Sequence, residues 1–129
     1  MSMPPNHPHL KADGRFWLTL DGRNFLGRGR VELLQRIRET GSISRAAKAM
    51  KMSYKAAWDA VNAMNAAWHA VLVESGPSGS RLSDDAEQLI TAYQQAEARH
   101  AAFMVELGHA LPFSKSGTRA TVPKRAASR

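Results

Sequence analysis

Cysteine is missing from all 129 residues, which excludes disulfides and thiolate metal sites. No apolar run approaches the length that crosses a bilayer. The opening "MSMPPNHPHLKADG" holds no hydrophobic segment, so no secretory signal is expected and the chain reads as cytoplasmic. A phosphate-binding loop, a nucleophile elbow and a paired-carboxylate arrangement are all lacking, so no catalytic residue is assigned and the chain is not read as an enzyme. The histidines at His7, His9, His69, His100 and His109 are scattered and have no third ligand at useful spacing. No metal site and no cofactor are expected from them.

Acidic residues are also scarce. Eleven Asp and Glu stand against eighteen Lys and Arg, leaving a formal charge of +7 and a pI near 10.4. Such a balance points to a polyanion as partner. The charge is segregated. Arg28 to Lys55 carries eight Lys/Arg and two Glu, a balance of +6, whereas Leu82 to Pro112 carries one Arg and five acids, a balance of −4. One face for an anion and another turned away from it would produce this pattern.

Residues 1–14 hold three Pro and two His with little apolar content and read as a disordered lead-in. "RFWLTLDGR" alternates Phe16, Leu18 and Leu20 with Trp17 and Thr19 and stops at Asp21-Gly22, which predicts a short strand and a turn. Helical spacing starts near Arg28, with Val31, Leu34 and Ile37 on one face and Gly41 as its C-terminal stop. Ser42 can cap a second helix whose buried stripe is Ile43, Ala46, Ala47 and Met50. Lys51-Met52 makes the turn, and Ser53 caps a third helix from about Tyr54 to Trp68. Val71 to Leu82 reads as a hairpin around Gly76–Ser80. Ser83 starts a last helix, about 83–108, with Asp84, Asp85 and Glu87 at the positive end of its dipole. Residues 111–129 read as a flexible basic tail.

The order of strand, helix, helix-turn-helix, hairpin and helix matches a winged helix-turn-helix. It is mainly α with a small β-hairpin, occupies about 15–110, and ends in a long dimerisation helix. Small Ala47 suits a close helix crossing, and Met52 can plug the turn. In this fold the third helix enters the DNA major groove. The residues assigned to that contact are Ser53, Tyr54, Lys55, Asp59 and Asn62. Asp59 can orient Lys55 four residues earlier or accept from a cytosine amino group. Arg28, Arg30, Ser42, Arg45, Lys48, Lys51 and Arg81 are the candidates for the phosphate backbone. Trp58 reads as partly buried packing.

The last helix repeats apolar residues on a near-heptad seam, with Leu89, Ile90, Tyr93, His100, Phe103, Met104 and Leu107 as the expected dimer contacts. About 25 residues at 1.5 Å each span roughly 38 Å, longer than so small a core covers. A two-fold homodimer reading a pseudo-palindromic site is expected.

The runs "GSISRAAKAM" and "MSYKAAWDAVNAMN", with "FWLTL", "GRGRVELLQRIRETGSIS", "LVES" and "RLSDDAEQLITAYQQAEA", resemble the DNA-binding domain of ModE-type molybdate-responsive transcriptional regulators, from about Arg15 to Ala98. The resemblance implies a bacterial, nucleoid-associated regulator of duplex DNA. It implies a wing usually longer and richer in Lys/Arg than "SGPSGSR", where Arg81 is the only cation. It does not carry molybdate sensing to this chain, which has about twenty residues after Gly108. That points to a stand-alone form, with any effector bound at the dimer interface or by a separate partner. Two other readings stay open. One is a general nucleoid or RNA-binding module, and the other is an interaction protein acting through another regulator.

Overall fold

A computed structural model describes residues 9–113. The described residues divide into two units, residues 16–97 and the pair of stretches 9–15 and 98–113. The first unit begins with β1 (Leu18–Leu20) and β2 (Arg23–Leu26), antiparallel and joined by a two-residue turn. Asp21 and Gly22 both have positive φ, 51° and 80°, the mirror-image turn whose twist suits a tight hairpin. The alternation predicts β1 and the turn but not β2. "RNFL" has no alternation of its own, and only pairing with β1 reveals it as a strand. Its Phe25 and Leu26 are fully inside.

Three helices follow. α1 (Arg28–Thr40) ends at Gly41, whose φ of 71° turns its N–H back to the Ile37 carbonyl at 2.8 Å. α2 (Ile43–Ala49) opens with the Ser42 hydroxyl accepting from the Arg45 N–H at 3.1 Å. α3 (Tyr54–Ala67) opens with Ser53 doing the same for Ala56 at 3.0 Å. All three stops and starts are the expected ones, because each is settled by the chemistry of one or two adjacent residues. Val31, Leu33, Leu34 and Ile37 of α1 bury against Ile43, Ala46 and Ala47 of α2 and Ala57, Val61 and Met64 of α3. The alanines let the helix axes approach.

Next come β3 (Val73–Gly76) and β4 (Gly79–Leu82), an antiparallel hairpin with Gly76 opposite Gly79. Ser83 then accepts from the Ala86 N–H at 3.3 Å and starts α4 (Asp84–His109). Trp68, at the end of α3, stacks on Phe25 with ring centroids 5.6 Å apart and donates its indole N–H to Asp85 at 2.8 Å. The architecture is a winged helix-turn-helix, with β3–β4 as the wing.

Ile90 and Tyr93, expected at a dimer seam, lie instead in this unit's own core at 2% and 1% exposure. The heptad reading treated α4 as one uniform stripe. Its first half is occupied by the chain itself, with Phe16 against Tyr93 at a ring separation of 5.4 Å. Leu89 is partly buried against the same core. The single proton of the Tyr93 hydroxyl is shared between the Glu97 carboxylate at 3.2 Å and the Phe16 carbonyl at 3.4 Å. Burial first, and the Glu97 carboxylate second, push the hydroxyl above its ordinary 10.0, with Arg28 opposing. The fold therefore favours the neutral hydroxyl, and that contribution is present below pH 10 and lost as pH rises beyond it. Tyr93→Phe should cost about 1 kcal/mol near neutrality. In urea titrations the gap to wild type should shrink as pH rises above 10.

The second unit is described at residues 9–15 and 98–113. Residues 9–14, expected within a disordered lead-in, run beside the second half of α4. The Leu10 N–H donates to the Phe113 carbonyl at 2.9 Å. Gly14 sits against Met104 and His100, and a side chain on buried Gly108 would meet the Ala12 backbone at 3.2 Å. Phe103 and Leu107 remain exposed, at 53% and 41%. The basic tail expected at 111–129 lies outside the described residues from 114 onward, as do residues 1–8 of the lead-in. No described helix is long and apolar enough to cross a membrane.

Candidate nucleic-acid interface

The third helix divides cleanly. Ala57, Val61 and Met64 face the core, and Tyr54, Lys55, Asp59 and Asn62 face outward. Lys55 reaches Asp59 one turn on, Nζ to Oδ2 at 2.9 Å, as the spacing implied. Tyr54 is half exposed, and its hydroxyl accepts the indole N–H of Trp58. The Trp58 ring packs on the core, as expected of a Trp at the stripe's margin. Ser53 has its hydroxyl oxygen committed to the cap.

Seven residues were expected at the phosphate backbone, and the structure separates them. Arg45, Lys48 and Lys51 are exposed and make no ion pair among the described residues. Between Gly41 and Trp58 there are four cations and no acid, and of the four only Lys55 has an acidic partner among the described residues, Asp59 just beyond that run. The other three cations are engaged within the chain. Arg28 pairs with Glu97 at 3.1 Å, and Arg81 pairs with Glu74 across the wing at 3.1 Å. Arg30 donates to the Phe25 carbonyl at 2.9 Å. Ser42 is the α2 cap.

Lys51 sits in the turn with φ of 57°, a conformation that favours glycine. Its side chain carries charge where its backbone carries strain. Lys51→Gly should raise stability by about 1 kcal/mol in denaturant titrations.

Two fixings of the wing were missed from the sequence. Asn65 accepts from the Leu72 and Val73 N–H groups at 2.9 and 3.0 Å and donates to the Val73 carbonyl at 3.1 Å. The signal was present, because Asn65 is four residues past Val61 on an apolar stripe just before a β-prone run. Gly79 lies so close to the α1–α2 turn that a Cβ would stand 2.6 Å from the Gly41 carbonyl oxygen. The Ser80 N–H donates to that same oxygen at 2.9 Å. No single-residue pattern announces that contact. Together the two fixings hold the wing to the helix-turn-helix.

This arrangement can be set beside known proteins. Residues 29–87 match the model of the bacterial regulatory helix-turn-helix protein, lysR family. A crystal structure of a LysR family transcriptional regulator, VV2_1132, superposes with a TM-score of 0.51 at 17% identity, covering 60% of this chain and 27% of that one, and supports the fold alone. The transcriptional regulator ModE of Yersinia pestis is 40% identical over 89 residues, 65% of this chain and 34% of that protein. The molybdenum-pterin-binding protein MopB of Rhodobacter capsulatus is 46% identical over 78 residues, 57% of this chain and 29% of its own length. The DNA-binding transcriptional dual regulator ModE of Escherichia coli K12 is 37% identical over 89 residues, 65% of this chain and 34% of its own.

The chain carries a ModE-type DNA-binding domain. It spans about a third of the length of these curated relatives. In this ModE-type domain the match to the lysR-family model runs from the first turn of α1 through the wing to the first turn of α4.

Proposed function

We propose that the protein is a ModE-like transcriptional regulator that binds duplex DNA as a homodimer. The carrying observation is the acid-free run of exposed Arg45, Lys48 and Lys51, on α2 and in the turn that leads into α3. α3 enters the major groove with Tyr54, Lys55, Asp59 and Asn62 toward the bases, and Arg45, Lys48 and Lys51 hold phosphates. Arg28, Arg30 and Arg81 contribute less, because each would first leave a partner within the chain. The second half of α4, where Phe103 and Leu107 remain exposed, supports the pairing of two copies.

Selection from a random duplex pool, followed by binding measurements across salt, tests this. Wild type should recover a pseudo-palindromic sequence. Arg45→Ala and Lys48→Ala should each weaken binding to every sequence alike and lower the salt slope by about 1. Complete displacement from the recovered site by excess random DNA would favour a general nucleic-acid module instead. Absence of DNA binding even at low salt would favour an interaction protein.

A further inference from the structure

Tyr54 and Trp58 form the one aromatic pair on the outward side of α3 among the described residues. Their rings stand edge to face, at 80° with centroids 6.2 Å apart. The bond between them has a direction. An indole N–H only donates, so the Tyr54 oxygen must be the acceptor. A phenol oxygen that has accepted one hydrogen bond has little capacity left for a second. Its own O–H has no acceptor among the described residues, and accepting a bond polarises that O–H toward stronger donation. Trp58 is itself held in place because its ring packs on the core.

Base edges in the major groove differ in this same property. Guanine O6 and N7, adenine N7 and thymine O4 accept, whereas the amino groups of cytosine and adenine donate. A freely rotating tyrosine hydroxyl could satisfy either kind. We propose that Trp58 is a positioning residue that makes Tyr54 a donor only, so that Tyr54 selects an acceptor edge, such as guanine O6 or thymine O4, and rejects an amino edge. The inference rests on the placement of α3 in the groove under the proposed function.

The test compares selections from a random duplex pool by three full-length proteins. These are wild type, Tyr54→Phe, and a protein in which Trp58 is replaced by β-(3-benzothienyl)alanine. The last keeps the fused-ring shape and loses only the N–H, so packing on the core is kept. Thermal melts confirm that all three fold. Wild type should prefer an acceptor-bearing base over an amino-bearing one at one position, roughly five- to tenfold. Tyr54→Phe should remove that preference at that position. The benzothienyl protein should relax the same position, since the freed oxygen can then accept from an amino group. A fourth protein that carries both changes should show no further change at that position. Full retention of the preference in the benzothienyl protein overturns the inference, and so does a loss that adds to that of Tyr54→Phe. A Tyr54→Phe protein with an unchanged selection overturns it while leaving DNA regulation standing. Failure of wild type to enrich any sequence removes both.

Discussion

Replacing Gly79 with alanine should destabilise the protein by about 2–4 kcal/mol and loosen the wing. Two independent penalties meet there. The backbone holds φ at 119°, a region L-residues rarely enter, and the new Cβ would stand 2.6 Å from the Gly41 carbonyl oxygen. That oxygen belongs to a backbone fixed by the left-handed cap of α1, so it has little freedom to retreat. Relief would require the hairpin to lift, which breaks the Ser80-to-Gly41 hydrogen bond. Gly76 is the control. It is directly opposite in the same hairpin, and a Cβ there meets nothing within 4 Å. Gly76→Ala should cost under about 1 kcal/mol. Urea unfolding, with amide exchange at Ser80, reads both. Equal losses for the two variants would show that the close approach to Gly41 does not matter.

The second large effect is expected at Asn65. Its amide satisfies three backbone groups where β3 begins, the Leu72 N–H and both the N–H and the carbonyl of Val73. The orientation is unambiguous, since two N–H donors converge on one side-chain atom and a carbonyl faces the other. Asn65→Ala leaves two donors and one acceptor without partners in a partly buried place. At about 1 kcal/mol or more for each group, the loss should reach about 3 kcal/mol. Asn65→Asp keeps both accepted bonds but sets an oxygen against the Val73 carbonyl. It should be costly at neutral pH and recover on acidification, once the carboxyl can donate. A pH-independent loss for Asn65→Asp would contradict the assigned bonding.

Both sites lie where sequence reasoning stopped, and the physical reason is the same. Ser42, Ser53, Ser83 and Gly41 act within four residues of themselves, so their roles are visible in the chain order. The Lys55–Asp59 pair is equally local. Gly79 acts through Gly41, β2 exists through β1, and Tyr93 is buried against Phe16, so each depends on a distant partner. The candidate interface was legible as a set of exposed polar residues. Which of its cations are unpaired was not, because Glu97 and Glu74 are brought to Arg28 and Arg81 by the fold. Periodicity, finally, shows that a helix has an apolar face but not what covers it. That is how Ile90 and Tyr93 came to be read with Phe103 and Leu107.

The Gly41–Gly79 contact also divides the hairpin into two regions that evolution and engineering can treat differently. Everything from Gly79 onward is keyed to the α1–α2 turn and keeps a fixed length, since one added residue there would shift Ser80 off the Gly41 oxygen. The tip at Pro77-Ser78 carries no such constraint and is exposed. A long, cation-rich loop or a bare two-residue turn can be exchanged at that tip as a cassette, and the helices beneath it would register no change.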